Sequence, residues 1–167
     1  MIKLIVMDVD GTLTDGGIYY SEDKTEIKKF NVKDAAGILA CEAVGKKCMI
    51  LTGRESYAVE RRAKDLHIAY VFQGIKDKQS FLKEFIVHNG YAKEEILYIG
   101  DDLNDIGVMK IVGRTGCPAD AAEEVKQICD YVSSYNGGNG AVRDILFMLL
   151  KSEGVYQKAI EKAYGGV

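Results

Sequence analysis

Two aspartates separated by a single residue follow the first apolar run of this chain, in Met7-Asp8-Val9-Asp10-Gly11-Thr12-Leu13-Thr14. The run over 2–7 carries β-branched residues and reads as a buried parallel strand, so Asp8 and Asp10 project on the same side where it ends. Two carboxylates held that close need a cation. Gly11 lets the chain turn sharply, and the segment after it can bring backbone N–H groups toward a bound anion. A cation and an anion met at one strand end are the components of a phosphate-transfer site. Taken alone, D-G-T fits a surface turn equally well, and the rest of the chain has to supply the weight.

Three other segments supply it. Met49-Ile50-Leu51-Thr52-Gly53-Arg54 ends an apolar run with a hydroxyl, a glycine and a guanidinium. Thr52 can donate to a phosphoryl oxygen, Gly53 permits close backbone approach, and Arg54 offers a planar fork suited to phosphate or carboxylate. By itself this is more often a helix cap followed by a surface arginine. Leu97-Tyr98-Ile99-Gly100-Asp101-Asp102-Leu103-Asn104-Asp105 ends another run with Asp101, Asp102 and Asp105 in close succession. Helix capping accounts for Asn104 or Asp105 but not for a buried strand that terminates in two adjacent acids. Metal binding accounts for both. Magnesium fits best, because it takes hard oxygen ligands and is commonly held by one or two carboxylates together with substrate phosphate. Asp8, Asp101 and a backbone carbonyl suffice for it. Calcium fits less well, since the D-x-D-G segment lacks the closing acid of an EF-hand loop. Finally, Asp77 reads as an N-cap, and Lys78 in the first turn opposes the helix dipole's preference for acids there. That placement suggests a nearby anion, although for Lys78 taken alone an ordinary solvated lysine is the better reading.

The elements that must position these residues alternate in type. Strand-like runs recur at 2–7, 47–51, 69–72, 96–99 and around 113–117, and helix-period stretches at 34–44, 56–66, 77–89, 104–111, 119–128 and 141–151 separate most of them. Gly45 and Gly90 read as helix stops. The pattern predicts an α/β fold, a three-layer Rossmann-like parallel sheet with helices on both faces. Such sheets bind ligands at the carboxyl ends of strands where the strand order reverses. Residues 16–30 break the alternation: Ile18-Tyr19-Tyr20 and 26–30 flank a polar turn and read as a β-hairpin flap after the first strand. An isolated hairpin carrying Ile18, Tyr19, Tyr20 and Phe30 is marginal without a partner, which predicts self-association through it. The glycine-rich stretch 133–140 reads either as flexible filler or as a backbone surface for a ligand.

Composition removes other classes. A chain of 167 residues fits one domain with a full core and leaves no room for a second large domain. The net charge of −3 supplies no basic footprint for nucleic acid or an anionic membrane. The short N-terminal apolar run ends in aspartates and is neither a signal sequence nor a spanning helix, so a soluble cytoplasmic protein is expected. Cys41, Cys48, Cys117 and Cys129 lack ligand spacing and read as reduced core thiols, and His67 and His88 read as structural.

D-V-D-G-T, L-T-G-R, Lys78 and G-D-D-L-N-D stand in the order and spacing of the motifs of the haloacid dehalogenase superfamily, which this chain resembles over roughly residues 2–118. The resemblance implies that Asp8 is the nucleophile, Asp10 the general acid and base, and Lys78 the residue that holds the nucleophile and neutralises transition-state charge. It implies Thr52, Gly53, Arg54 and Asn104 as substrate-binding residues. It implies a Mg2+ site built from Asp8, Asp10 and Asp101 with support from Asp105. An Asp at position 10 points to phosphate monoester hydrolysis. D-G-T-L-T-D-G before the hairpin, K-K-F-N-V-K-D-A-A-G-I at 28–38, Q-G-I-K-D-K and G-G-N-G-A-V-R-D at 137–144 look like the capless branch containing 3-deoxy-D-manno-octulosonate 8-phosphate phosphatase and its sialic-acid-pathway relatives. That branch implies no large cap domain, lipopolysaccharide biosynthesis, a small-molecule sugar phosphate as substrate, and a homotetramer in which the flap and the tail over 152–167 complete neighbouring sites. Arg54 resembles the octulosonate enzymes, whereas some relatives acting on nine-carbon 9-phosphates carry Glu there. The first alanine of K-D-A-A-G departs from the glycine many relatives have. Two other readings stay open: a phosphomutase or phosphonate-cleaving enzyme, and a non-catalytic sugar-phosphate-binding partner of a nucleotidyl-sugar synthase.

Overall fold

The chain begins with β1 (Leu4–Met7), passes through the short strands β2 (Tyr19–Tyr20) and β3 (Glu26–Ile27), and enters α1 (Asp34–Ala43). β4 (Lys47–Leu51), α2 (Tyr57–Asp65), β5 (Tyr70–Phe72), α3 (Lys78–Asn89) and β6 (Ile96–Ile99) follow in alternation. The remainder is α4 (Ile106–Met109), β7 (Arg114–Cys117), α5 (Glu123–Lys126), β8 (Tyr131–Val132), α6 (Ala141–Ser152) and α7 (Tyr156–Tyr164). This computed structural model describes residues 1–165.

Side-chain alternation along the strands creates the three layers. Ile5 and Met7 of β1, Cys48 and Ile50 of β4, and Leu97 and Ile99 of β6 pack on one face with residues of α1, α2, α6 and α7. Leu4 and Val6, Met49 and Leu51, and Ile96 and Tyr98 pack on the other with Leu82 of α3, Met109 of α4 and Val125 of α5. A strand period of two makes this division unavoidable once both faces are covered. Because each of these central strand residues is fully buried, the strands read as continuous apolar runs.

The sheet is parallel throughout, in the order β5-β4-β1-β6-β7-β8. From β1 the chain proceeds outward through β4 to β5, then returns to place β6 on the other side of β1. The reversal opens a crevice at the carboxyl ends of β1, β4 and β6. β2 and β3 form a separate antiparallel hairpin, anchored by a bridge between Thr14 and Phe30.

Departures from the sequence expectations have local causes. β8 spans two residues between polar neighbours, too short to show a period. The stretch 119–128 is helical only over α5, and 104–111 splits into a tight turn at Leu103–Asp105 and α4, because Asp105 is turned inward to the site. The expected tail is helical over most of its length: α7 packs on α1 and buries Ala159 in the core. The last two positions of that tail, 166–167, lie outside the described residues. Among the described residues, no helix is long and apolar enough to cross a membrane. All four cysteines are free thiols.

Candidate active site

β1 and β6 deliver their terminal acids to one point. The backbone N–H of Asp8 donates to the carbonyl of Ile99, the last residue of β6, at 2.9 Å, extending the pairing one residue past β1. Beyond it the chain turns at Gly11, where φ is +90° and a side chain would place its Cβ 2.1 Å from Oδ2 of Asp101. Only glycine satisfies both conditions. Thr12, buried beside it, donates its hydroxyl to Oδ1 of Asp101 at 2.9 Å. One oxygen from each of Asp8, Asp101 and Asp105 falls within 4.8 Å of the others, an arrangement able to hold a metal ion.

The three acids are not equivalent. Asp105 is fully buried and saturated: its Oδ1 accepts from the Tyr98 hydroxyl at 2.6 Å and from Lys78 at 2.8 Å, and its Oδ2 from the backbone N–H groups of Asp101 and Asp102 at 2.9 and 3.3 Å. It has little donor capacity left, and its geometry is that of a support for the loop and for Lys78. Burial pushes the Asp8 carboxyl up to about 6 against the opposing pull of Lys78. Burial, with the charges of Asp8 and Asp105 adding to it, pushes Asp101 up to about 7 despite the Thr12 hydrogen bond. Acids raised in this way mark a place short of positive charge. Hard oxygen donors clustered there fit a magnesium ion.

Lys78 enters from the first turn of α3, whose N-cap Asp77 accepts from the Ser80 N–H at 2.9 Å. Its ammonium lies 2.9 Å from Oδ1 of Asp8 and 2.8 Å from Oδ1 of Asp105, with the side chain 4% exposed. Burial works against the charge, but the two carboxylates outweigh it and hold the Lys78 pKa above its usual range. The anion inferred from a lysine in that turn is therefore Asp8 together with Asp105.

Thr52 directly follows β4, buried, with its N–H donating to the Phe72 carbonyl at 3.0 Å. Gly53 follows, and its carbonyl accepts from Lys76 at 2.7 Å. Asn104 sits exposed on the turn after β6. Asp10 lies apart from the three clustered acids, half-buried, and its carboxylate faces the hairpin. There Lys28 pairs with Oδ1 of Asp10 and reaches Oε1 of Glu26 at 2.9 Å. Arg54 pairs with Oε2 of Glu26, and its Nε lies 3.8 Å from Oδ2 of Asp10. Asp10, Lys28, Glu26 and Arg54 thus close a ring of alternating charge. The sequence reading missed Lys28 and Glu26 as site residues. Their signal was the alternation Glu26-Ile27-Lys28, which puts two opposite charges on one face of β3 and its extension.

The glycine-rich stretch packs its backbone against the turn that follows β1. Its Gly138 N–H donates to the Thr12 carbonyl at 3.2 Å, and the Gly137 N–H donates to Asp120 at 2.9 Å. A Cβ on Gly137 would lie 1.9 Å from the Gly11 carbonyl oxygen. The loop therefore braces the turn that carries Asp10.

A family profile described as haloacid dehalogenase-like hydrolase matches residues 71–146. The chain is 37% identical over 158 residues to the 3-deoxy-D-manno-octulosonate 8-phosphate phosphatase of Salmonella typhi, covering 95% of this chain and 84% of that protein. Among solved structures it resembles the phosphatase of the same name from Moraxella catarrhalis, crystallised with a magnesium ion, a phosphate ion and a KDO molecule. The TM-score is 0.91 at 38% identity, over 95% of this chain and 91% of that one. The cobalt-bound deoxy-D-mannose-octulosonate 8-phosphate phosphatase of Haemophilus influenzae superposes with a TM-score of 0.87 at 35% identity, over 93% of this chain and 91% of that one.

Proposed function

The chain belongs to the 3-deoxy-D-manno-octulosonate 8-phosphate phosphatase family of haloacid dehalogenase-like hydrolases, and on that premise we propose that it releases phosphate from that eight-carbon sugar acid through an aspartyl-phosphate on Asp8. It is a phosphoric monoester hydrolase with magnesium as its cofactor. The observation that carries the residue assignment is the convergence of Asp8, Asp101 and Lys78 at the ends of β1, β6 and the start of α3.

Asp8 attacks phosphorus in line. Asp10 protonates the departing sugar oxygen, then takes a proton from the water that hydrolyses the aspartyl-phosphate. Lys78 keeps Asp8 ionised and oriented, and its charge, with the Thr52 hydroxyl and the backbone N–H groups after Asp8, offsets the charge that develops on the transferring oxygens. Asp8 and Asp101, with Asp10, would hold the magnesium ion, which would supply further positive charge at that point. Asp105 holds Lys78 and the Asp101 backbone in place. Arg54 supports the eight-carbon substrate over a nine-carbon one. Exposed Ile18, Tyr20 and Ile27 support a homotetramer closed through the hairpin. Buried free thiols at Cys41 and Cys48 suit the reducing cytoplasm.

Phosphorylated eight- and nine-carbon keto acids assayed with magnesium test the reading. The eight-carbon 8-phosphate is expected to give the highest kcat/KM, and solvent oxygen is expected in the released phosphate. Asp8→Asn is expected to lower turnover by at least about a thousandfold. Parental turnover in that variant refutes the nucleophile assignment, and a rearranged product that keeps its phosphoryl group, with no free phosphate released, points to a mutase instead.

A further inference from the structure

We propose that Lys28, carried by the hairpin, is a positioning residue for Asp10: it holds one oxygen of the general acid so that the other faces the leaving group. The inference rests on the reading of Asp10 as general acid and base. Three observations carry it.

First, Lys28 is committed to this contact. Its side chain is 2% exposed, although it belongs to a two-stranded hairpin whose Tyr20 and Ile27 are more than half exposed. A buried ammonium persists only where carboxylates face it, and here Asp10 and Glu26 both do. Burial disfavours the charge, and hydrogen bonds to Asp10 and Glu26 more than restore it.

Second, the contact is asymmetric. The ammonium occupies Oδ1 of Asp10, while among the described residues Oδ2 has only the Arg54 Nε at 3.8 Å, beyond hydrogen-bonding range. A general acid needs one oxygen fixed and the other free to carry the proton. The ammonium supplies the fixed end.

Third, Lys28 is itself held. Glu26 precedes it by two residues on the same face of the hairpin and is tied to Arg54, which follows β4. Asp10 is thus oriented by a chain of contacts running from the main sheet through the flap.

A general acid matters most when the leaving group is a poor one. An alkyl phosphate needs its departing oxygen protonated, whereas p-nitrophenolate leaves without a proton. The experiment compares single-turnover release of alcohol from a sugar-acid phosphate with release of p-nitrophenolate, both with magnesium, in the parent, Asp10→Asn, Lys28→Met and Lys28→Arg. Lys28→Met is expected to lower the alkyl-to-aryl rate ratio at least about tenfold, in the direction of Asp10→Asn, and Lys28→Arg to restore it to within about threefold. An equal loss on both substrates, or no loss, overturns the role given to Lys28. A parental ratio in Asp10→Asn instead overturns the reading of Asp10, so the two failures are distinguishable. Should Lys28→Met not fold, Lys28→Gln is read by the same ratio and the same criteria.

Discussion

Lys78 and Asp8 form an ion pair of 2.9 Å in which neither side chain is more than 8% exposed. The pair joins two elements far apart in sequence, the end of β1 and the first turn of α3, and it shares its cation with Asp105. With the proposed roles of Asp8 and Lys78, this contact would couple stability to catalysis.

Lys78→Met leaves two buried carboxylates without their cation. The expected cost in the metal-free protein is about 3–5 kcal/mol, measured by denaturant unfolding at neutral pH. Phosphate release should fall with it. A variant with unaltered stability would mean that Asp8 and Asp105 are solvated in a way the closed site does not allow.

Magnesium binding should depend on pH with a definite sign. The folded carboxyls at about 6 for Asp8 and about 7 for Asp101 stand above their ordinary value of 3.8. Between about pH 4 and 7 the metal-free fold therefore holds protons that the unfolded chain has released, and its stability falls as pH rises through that window. Below about pH 4 both states are protonated and the penalty is absent. A divalent ion needs the ionised acids, so it displaces protons and binds more tightly as pH rises. The Tm increment produced by saturating magnesium should be small near pH 5 and grow toward pH 8, about the range over which these acids ionise. An increment independent of pH contradicts the assignment of these acids to the site.

Gly137→Ala tests the brace on the active-site turn. The added Cβ meets the backbone oxygen of Gly11, which no rotamer change can move. A destabilisation of about 1–3 kcal/mol is expected, with a fall in kcat larger than any change at Gly90→Ala, a helix stop with open space around it. Thermal unfolding and phosphate release check both halves.

Ile27 is 52% exposed and alternates with Glu26 and Lys28, so it faces away from Asp10. Ile27→Asp puts a charge on the outer surface of the hairpin. If copies of the chain associate there, light scattering should show a smaller species than the parent, and an unchanged mass places the interface elsewhere.

Much of this protein was legible in the chain because it depends on neighbours in sequence. Runs such as Lys47–Leu51 and Ile96–Ile99 declare buried strands by their apolar continuity, and Asp77 and Gly90 bound α3 by local backbone chemistry. Asp8, Thr52 and Asp101 could be nominated because each ends such a run. Parallel strands bring their carboxyl ends to one edge of a sheet, and a strand-end position is a local property. What local pattern cannot encode is which side chain meets which across the fold. Asp105 becomes a support only when Tyr98, Lys78 and two backbone N–H groups consume its lone pairs. Asp10 turns from the acid cluster to Lys28 because the hairpin folds back over β1's end, and Gly137 matters because a loop far along the chain lies against Gly11. The sequence alone determined the strands, their ends and the kind of chemistry placed there. The strand order and the closure of the hairpin decided the partners, since contacts between distant residues exist only once the sheet has set their distances.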